Sequence, residues 1–274
     1  MTVQRPDFDW QARRAVASDS DDSGPSRKQM HSLVKTSART ILDSLGMLNF
    51  ARRCACELHT LRQNLLTPEQ ISKIYGELYH ANKYRTTEPS APGSDWEPDE
   101  ILKREHASAI LQVLSLKRVL IGGCSSGMAV LAFRRLGVDA FGFEISPDLD
   151  RIVLTDVRPY VRHGSMTAIP FGAEDRFDAF ITTDVLEHVQ LKHVNKMMAE
   201  MSRLGTPWMI HLINHDAIKP DHATLKPLRW WECKFGKYEF KLRTDLRAPV
   251  STNPRIYGLN GQPDHIYTFW QRGV

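Results

Sequence analysis

Hydrophobic residues repeat at helical spacing in the N-terminal part of the chain. The pattern i, i+3, i+4, i+7 is met over residues 30–45 and again over residues 51–61. Thr67-Pro68-Glu69-Gln70 then combines an N-cap residue, a proline in the first turn and a glutamine three residues after the cap, which together predict a helix start. A further helix is predicted over residues 99–116. The N-terminal part is therefore expected to be helical.

Short apolar runs alternate with helical segments in the rest of the chain. This alternation is typical of βαβ units, which build a parallel sheet with helices on both faces. We therefore predict an α/β, Rossmann-like fold. The predicted strands cover residues 118–121, 138–145, 177–183, 208–213 and 265–271.

These patterns divide the chain into three regions. Residues 1–28 are polar and acid-rich with few apolar positions, so we expect a flexible leader. Residues 29–98 are predicted to form a helical cap that ends in a lid loop, residues 86–98, rich in proline, serine and glycine. Residues 99–274 form the α/β domain. The apolar faces of the cap helices must pack on this domain or on a second subunit, so monomer and homodimer both remain open.

Composition and charge exclude several kinds of partner. Lys and Arg number 36 against 32 Asp and Glu, and the basic residues are scattered along the chain, so no nucleic-acid partner is expected. No apolar run reaches the roughly 18 residues of a membrane span, and the N-terminus lacks the apolar core of a secretory signal. The 4 cysteines do not make a disulfide framework in so long a chain. We therefore expect a cytoplasmic protein.

A glycine-rich turn follows the first predicted strand and precedes a helix, and Glu144 ends the second strand. This arrangement is typical of nucleotide-binding sheets, in which an acid meets the ribose hydroxyls. As a dinucleotide fingerprint G-x-G-x-x-G the turn reads Gly122, Cys124, Gly127, without the central glycine. As G-x-G-x-G it reads Gly123, Ser125, Gly127, also one glycine short. The turn alone leaves both interpretations open.

Four segments in order resemble the motifs of class I S-adenosylmethionine-dependent methyltransferases. Val119-Leu120-Ile121-Gly122-Gly123-Cys124-Ser125-Ser126-Gly127 resembles V-L-[DE]-x-G-x-G-x-G, and Gly142-Phe143-Glu144-Ile145-Ser146 is similar to the second motif. The third motif is matched by Gly164-Ser165-Met166-Thr167-Ala168-Ile169-Pro170-Phe171. The fourth, F-D-x-x-x-x-x-x-V-L-E-H-V, is matched from Phe177 to Val189. The resemblance covers roughly residues 100–274 and implies a seven-stranded, mostly parallel sheet with S-adenosylmethionine as cofactor.

The resemblance also implies roles for individual residues. Gly123, Ser125 and Gly127 would line the methionine and ribose part of the cofactor, and Glu144 would accept the ribose hydroxyls. The remaining predicted cofactor contacts are Gly122, Cys124, Ile145 on the adenine, Ser165 and Met166 beside the adenine amine, Asp184 at the end of the fourth strand, and Leu186.

Two positions depart from the pattern. Ile121 replaces the usual acid, and Ser125 replaces the middle glycine. Tyr79, Tyr84 or Arg85, upstream, could supply the missing polar contact, and Tyr84 is a candidate substrate-binding residue. Asp184 is also a candidate N-cap for a helix over residues 185–198. At the start of that helix Glu187 and His188 would form a structural pair.

The acceptor site is expected after the fourth core strand, residues 208–213, where loops leave the carboxyl ends of the strands. His215, Asp216, Asp221 and His222 follow that strand, and such His-Asp pairs suit base catalysis or a divalent ion such as Mg²⁺. Asp221-His222-Ala223-Thr224, followed by Arg229-Trp230-Trp231, resembles bacterial sugar and glycan methyltransferases. Trp230 and Trp231 could pack on a sugar. His211, by contrast, is predicted to be a core histidine.

The residues and the resemblance together predict S-adenosylmethionine-dependent O-methylation of a sugar, oligosaccharide or related polyol. His215 or His222 would act as the base, and Asp216 or Asp221 would orient it or bind the metal. Two alternatives remain: a small-molecule N- or O-methyltransferase of a biosynthetic pathway, and an inactive cofactor-binding partner subunit, which Ile121 keeps open.

Overall fold

A computed structural model describes residues 48–67, 70, 71, 74, 97–213, 222–246 and 266–273. The chain divides into two compact units, Met1–Cys54 and Ala55–Val274. The second unit carries the features discussed below. The predicted leader, the helix over residues 30–45 and residues 86–96 of the predicted lid loop lie outside the described residues.

The described residues form six α-helices and seven strands, joined in places by 3₁₀ turns. The helices are α1 (Leu48–Leu65), α2 (Glu97–Val113), α3 (Met128–Arg135), α4 (Leu149–Ile152), α5 (Val194–Arg203) and α6 (Leu228–Gly236). The strands are β1 (Arg118–Gly122), β2 (Asp139–Glu144), β3 (Val161–His163), β4 (Ala179–Thr183), β5 (Trp208–Ile213), β6 (Phe240–Leu242) and β7 (Ile266–Arg272).

The seven strands form one sheet in the order β3-β2-β1-β4-β5-β7-β6. The pairs from β3 through β5 are parallel, whereas β7 runs antiparallel to both β5 and β6. This arrangement confirms the predicted Rossmann-like, mostly parallel sheet. In the described part of the chain, no helix is both long and apolar enough to cross a membrane.

Both faces of the sheet are covered by helices. Successive residues of a strand point to opposite sides of the sheet, and in β5 both sets are buried. In β5, Ile210 and Leu212 enter the core that includes residues of α2 and α3. Met209 and Ile213 enter the second core, with residues of α5 and α6. The prediction of helices on both faces is therefore confirmed.

Two histidines are buried within this framework. His211 on β5 is fully buried, and its Nδ1 lies 2.7 Å from the hydroxyl of Thr182, which confirms it as a core histidine. Burial lowers the pKa of His211 to about 3. His106 on α2 contacts the hydroxyl of Tyr267 through its Nδ1 at 2.7 Å. Burial, with the charge of Lys103 adding to it, lowers the pKa of His106 to about 3.

Some predicted element bounds need correction. The helix predicted over residues 185–198 is wrong: two 3₁₀ turns, Leu186–His188 and Leu191–His193, precede α5. Asp184 has a left-handed backbone with φ of 53°, and Gln190 is extended, so no continuous helix can pass through them. Asp184 is therefore not the N-cap; His193 holds that position for α5.

The helix start predicted at Thr67 is present. The backbone N–H of Thr67 donates to Oε1 of Gln70 at 2.9 Å, and the N–H of Gln70 donates to Oγ1 of Thr67 at 3.3 Å. These reciprocal bonds form a capping box. They confirm the helix start that the sequence predicts at residues 67 and 70.

Candidate active site

The site lies where the carboxyl ends of β1, β2 and β4 meet. β1 is central, paired in parallel with β2 on one side and with β4 on the other. Ligands of open α/β sheets bind outside this edge, so the loops that follow these three strands line the candidate site.

The glycine turn after β1 needs unusual backbone conformations at three alternating positions. The φ angles are 63° at Gly123, 52° at Ser125 and 82° at Gly127. A Cβ at Gly123 would lie 2.7 Å from Cγ2 of Val185, in the loop after β4. The turn therefore contacts the β4 loop directly, and a side chain at Gly123 would separate them. Ser125 adopts a conformation that glycine would adopt without strain.

Glu144 holds the glycine turn in place from the end of β2. Its Oε2 accepts the backbone N–H of Ser125 at 2.7 Å, and its Oε1 accepts those of Ile145 and Ser146 at 2.8 and 3.1 Å. A carboxylate has about four acceptor positions, so one remains for a ribose hydroxyl. The buried carboxylate, with its remaining acceptor position, fits the cofactor that the sequence implies.

Cys124 and Gly122 lie beneath this turn. The thiol of Cys124 is buried, which raises its pKa well above the usual range, and the charge of Glu144 adds to that rise. Its backbone N–H donates to the carbonyl of Phe143 at 3.1 Å. A Cβ at Gly122 would lie 2.6 Å from the ring of Phe180. These two predicted cofactor residues are therefore packed against the sheet, and Cys124 is a neutral thiol.

The third motif begins beside Glu144. The backbone N–H of Gly164 donates to the carbonyl of Glu144 at 3.0 Å, which fixes the start of the motif. Ser165 and Ala168 form a tight bridge, and Met166 is buried in the second core. The structure thus brings Ser165 and Met166 to the same edge of the sheet as Glu144, and their contact with the adenine stays a prediction.

The loop after β4 continues the site on the other side of β1. The N–H of Asp184 donates to the carbonyl of Leu212 at 3.0 Å, which fixes the left-handed residue at the strand end. Leu186 is fully buried in the second core. Both residues therefore border the sheet edge where the cofactor is expected.

Three side chains that the sequence did not group converge in this region. One ligand atom each from Glu187, His188 and His222 lies within 4.8 Å of the other two. Glu187 and His222 are fully buried, and His188 is half-buried. The sequence treated Glu187 and His188 only as a structural pair. The available signal was the Glu-His pair of the fourth motif together with a histidine after the next strand.

The backbone holds His222 beside the β4 loop. The carbonyl of Glu187 accepts the N–H groups of Ala223 and Thr224, both at 2.8 Å. The hydroxyl of Thr224 donates to the carbonyl of Val189 at 2.6 Å. Since Ala223 follows His222 directly, these bonds fix the position of the histidine relative to Glu187.

The end of α1 reinforces the same two segments. Asn64 donates from Nδ2 to the carbonyl of Ala223 at 2.9 Å and accepts the N–H of Leu191 at its Oδ1 at 2.7 Å. Gln190 donates from Nε2 to the carbonyls of Gln63 and Leu66 at 2.7 and 3.0 Å. Asn64 therefore ties the segment after His222 to the loop after β4.

The tryptophan pair divides between surface and core. Trp231 is fully buried in the second core, where its ring lies against Phe235, so its predicted role in stacking on a sugar is not supported. Trp231 is buried because it lies on the side of α6 that packs in the second core. Trp230 is half-buried, with the ammonium of Lys234 lying 5.0 Å from its ring centroid. Trp230 remains a candidate aromatic contact.

Four predicted site residues lie outside the described part of the chain. They are Tyr84, His215, Asp216 and Asp221. Their predicted roles as acceptor contact, base and orienting or metal-binding acids stay predictions.

Comparisons with known proteins agree with this geometry. Residues 120–208 match the family described as "Methyltransferase domain", a range that contains the glycine turn, Glu144 and the third and fourth motifs. No sequence among the curated proteins matches the chain.

Solved structures share the fold at low sequence identity. The chain resembles 1,6-didemethyltoxoflavin-N1-methyltransferase from Burkholderia thailandensis, with 14% identity, 77% of this chain and 92% of that chain covered, and a TM-score of 0.51. The [4+2]-cyclase SpnF is 13% identical to the chain; the match covers 76% of this chain and 98% of that chain, with a TM-score of 0.51. The YcgJ protein from Bacillus subtilis is 15% identical to the chain; the match covers 62% of this chain and 98% of that chain, with a TM-score of 0.47.

Proposed function

We propose that the chain is a class I S-adenosylmethionine-dependent methyltransferase, since residues 120–208 match the family described as "Methyltransferase domain", and that it methylates a hydroxyl group of a sugar, oligosaccharide or related polyol. The observation that supports an alcohol acceptor is the cluster of Glu187, His188 and His222, which involves the loop after β4, whose Val185 packs against Gly123 of the glycine turn. A neutral hydroxyl is a poor nucleophile and needs help to lose its proton, whereas a neutral amine does not. A carboxylate with two imidazoles at this position suits that task.

The residues of this chain would position the reactants and remove water. The glycine turn and Glu144 would hold the cofactor, which supplies a methyl group on a positively charged sulfur. Val185 packs against Gly123 and so keeps the β4 loop, with its acid–histidine cluster, next to the turn. This close approach aligns an acceptor held by the β4 loop with the cofactor.

The reaction balances without any further reactant. The acceptor oxygen forms a bond to the methyl carbon while the bond from that carbon to sulfur breaks, and the electron pair stays on sulfur. The hydroxyl proton leaves through the histidine cluster or through His215. The products are a methyl ether, S-adenosylhomocysteine and a proton.

A sugar or polyol is proposed as the acceptor class for two reasons. The segment Asp221-His222-Ala223-Thr224 and the following Arg229-Trp230-Trp231 resemble sugar methyltransferases in composition. Trp230 is also half-buried, so part of this residue is accessible shortly after the segment that carries His222. An aromatic face of this kind packs well on sugar C–H groups.

The test is S-adenosylhomocysteine formation with a panel of acceptors. The panel should include free sugars, nucleotide sugars, oligosaccharides, catechols and aliphatic amines, with each product located by mass spectrometry. We expect methyl transfer to a hydroxyl of a carbohydrate, and we expect His222→Ala to slow it at least about a hundredfold. His193→Ala, on the neighbouring 3₁₀ turn, is the matched control and should keep wild-type turnover. Methylation of amines alone would overturn the proposal.

A further inference from the structure

The cluster of Glu187, His188 and His222 has the composition of a metal site as well as that of an acid–base site. We propose that it binds one divalent transition-metal ion, which holds and activates the acceptor hydroxyl; this rests on the proposed O-methylation. Nothing in the motif resemblance assigns a metal to these three residues, and the sequence placed its candidate ion on Asp216 and Asp221 instead.

The geometry of the three side chains supports a shared ion. Two ligand atoms at about 2.1 Å from one ion lie about 3.0–4.2 Å apart, depending on the coordination geometry. In the structure each of the three ligand atoms lies within 4.8 Å of the others. Side-chain rotations that bring these atoms closer by up to about 1–2 Å would complete the site. The rings of His188 and His222 are nearly perpendicular, at 86°, with centroids 4.8 Å apart.

The ligands come from two segments that the backbone fixes to each other. Consecutive residues of a 3₁₀ turn point about 120° apart, so Glu187 and His188 need a third residue from elsewhere to enclose an ion. His222 supplies it, because the carbonyl of Glu187 accepts the N–H groups of the two residues that follow His222. Asn64 adds a second tie between the segments. Such preorganisation favours a site that binds tightly.

Burial gives an energetic reason for the ion. Glu187 is fully buried, and a buried carboxylate is costly unless opposite charge compensates it. A divalent cation bound by all three groups would place two positive charges beside this carboxylate. Imidazole and carboxylate ligands together suit Zn²⁺, Co²⁺, Mn²⁺ or Fe²⁺, while Mg²⁺ prefers oxygen ligands alone.

Three protein ligands leave coordination positions open for the acceptor. A hydroxyl on the ion loses its proton more readily, because a bound cation stabilises the oxygen anion. An octahedral ion with three protein ligands has three further positions, enough for two neighbouring hydroxyls of an acceptor that approaches on the side of His188, the half-buried ligand of the three. The inferred site therefore favours acceptors with vicinal hydroxyls over isolated alcohols.

The test measures metal binding directly and does not depend on turnover. The full chain is stripped with EDTA, dialysed, and titrated with Co²⁺ while its visible absorption is recorded; Zn²⁺ is then added as a competitor and Mg²⁺ as a control. We expect one Co²⁺ per chain, displaced by Zn²⁺ and not by Mg²⁺. His188→Ala should weaken Co²⁺ binding at least about tenfold, as loss of a ligand does. This variant is chosen because His188 is half-buried and its removal spares the core.

Two controls separate the outcomes. His193→Ala should bind Co²⁺ like the wild type, and S-adenosylmethionine affinity should stay within about twofold in both histidine variants, which shows that the fold is intact. Absence of Co²⁺ binding, or binding that survives both His188→Ala and Glu187→Gln, would overturn the metal site. Hydroxyl methylation that persists in EDTA would also overturn it while leaving the proposed function standing. Metal binding without any hydroxyl methylation would overturn the proposed function.

Discussion

Replacing Glu144 tests how the cofactor turn is built. Glu144→Gln keeps the shape of the side chain but removes its charge and turns one acceptor atom into a donor. The carboxylate accepts three backbone N–H groups, from Ser125, Ile145 and Ser146. A glutamine carbonyl can keep two of these bonds, so one N–H faces an NH₂ group instead. The substitution therefore acts on the turn and on the ribose contact together.

The magnitude follows from these bonds. Hydrogen bonds to a charged group contribute about 1.5–3 kcal/mol each. Losing one of them, with the remaining two weakened, should lower the free energy of unfolding by about 2–3 kcal/mol. Domains of this kind have about 5–15 kcal/mol of stability, so the variant should fold. The lost ribose contact should raise the Kd for S-adenosylmethionine by about 10–100-fold.

The assay pairs urea denaturation with isothermal titration of S-adenosylmethionine. Asp178→Asn is a matched control, because Asp178 accepts the N–H groups of Lys117 and Arg118 at 2.7 and 2.8 Å at the opposite edge of the sheet. It should lose stability without a change in cofactor affinity. If Glu144→Gln binds the cofactor as tightly as the wild type, Glu144 does not contact the ribose.

Three further predictions concern the turn, the α1 contact and acid stability. Ser125→Gly should raise the free energy of unfolding by about 1 kcal/mol, measured in urea, because glycine relieves the left-handed backbone; an unchanged or lower value would contradict this. Asn64→Ala should lower it by about 1–3 kcal/mol through the lost bonds to Ala223 and Leu191 and should slow turnover, whereas wild-type turnover would show that the α1 contact does not support the site. His106 and His211 are neutral in the folded chain with pKa values of about 3, so each contributes stability that is present above about pH 6.5 and is lost as the pH falls toward 3. Between pH 6.5 and pH 5 each should lower the free energy of unfolding by about 2 kcal/mol, measured by urea denaturation at both pH values. His211→Gln should reduce this loss, and a loss as large as that of the wild type would contradict the assignment to His211.

The longer strands of the sheet were predictable from their apolar runs, whereas a strand as short as β6 was not. β1, β2, β4 and β5 are apolar runs bounded by glycine or polar residues, which indicate buried parallel strands. β6, by contrast, has only three residues with a lysine in the middle, too few to show a period. It is a strand because β7 offers it a partner, which is a tertiary effect that local sequence does not contain.

The candidate site was predictable where a single segment forms it and unpredictable where two segments meet. Glu144 and the glycine turn follow consecutive strands, so their closeness follows from a parallel sheet. The helix predicted over residues 185–198 was wrong because Val189 and Gln190 adopt extended backbones, which the residue types at these positions do not reveal. That same break forms the short turn holding Glu187 and His188. Their meeting with His222 depends on backbone bonds across more than thirty residues of sequence.

The antiparallel strand β7 gives the sheet an order of assembly. β7 lies between β5 and β6, so β6 has no partner in the described sheet until residues 266–272 are in place. During synthesis the parallel strands can pair early, but the edge of β5 stays unpaired until β7 emerges. Unpaired strand edges promote aggregation, and pairings distant in sequence form slowly. A ribosome-bound chain that ends before residue 266 should therefore need protection by a chaperone, although its glycine turn has already been synthesised.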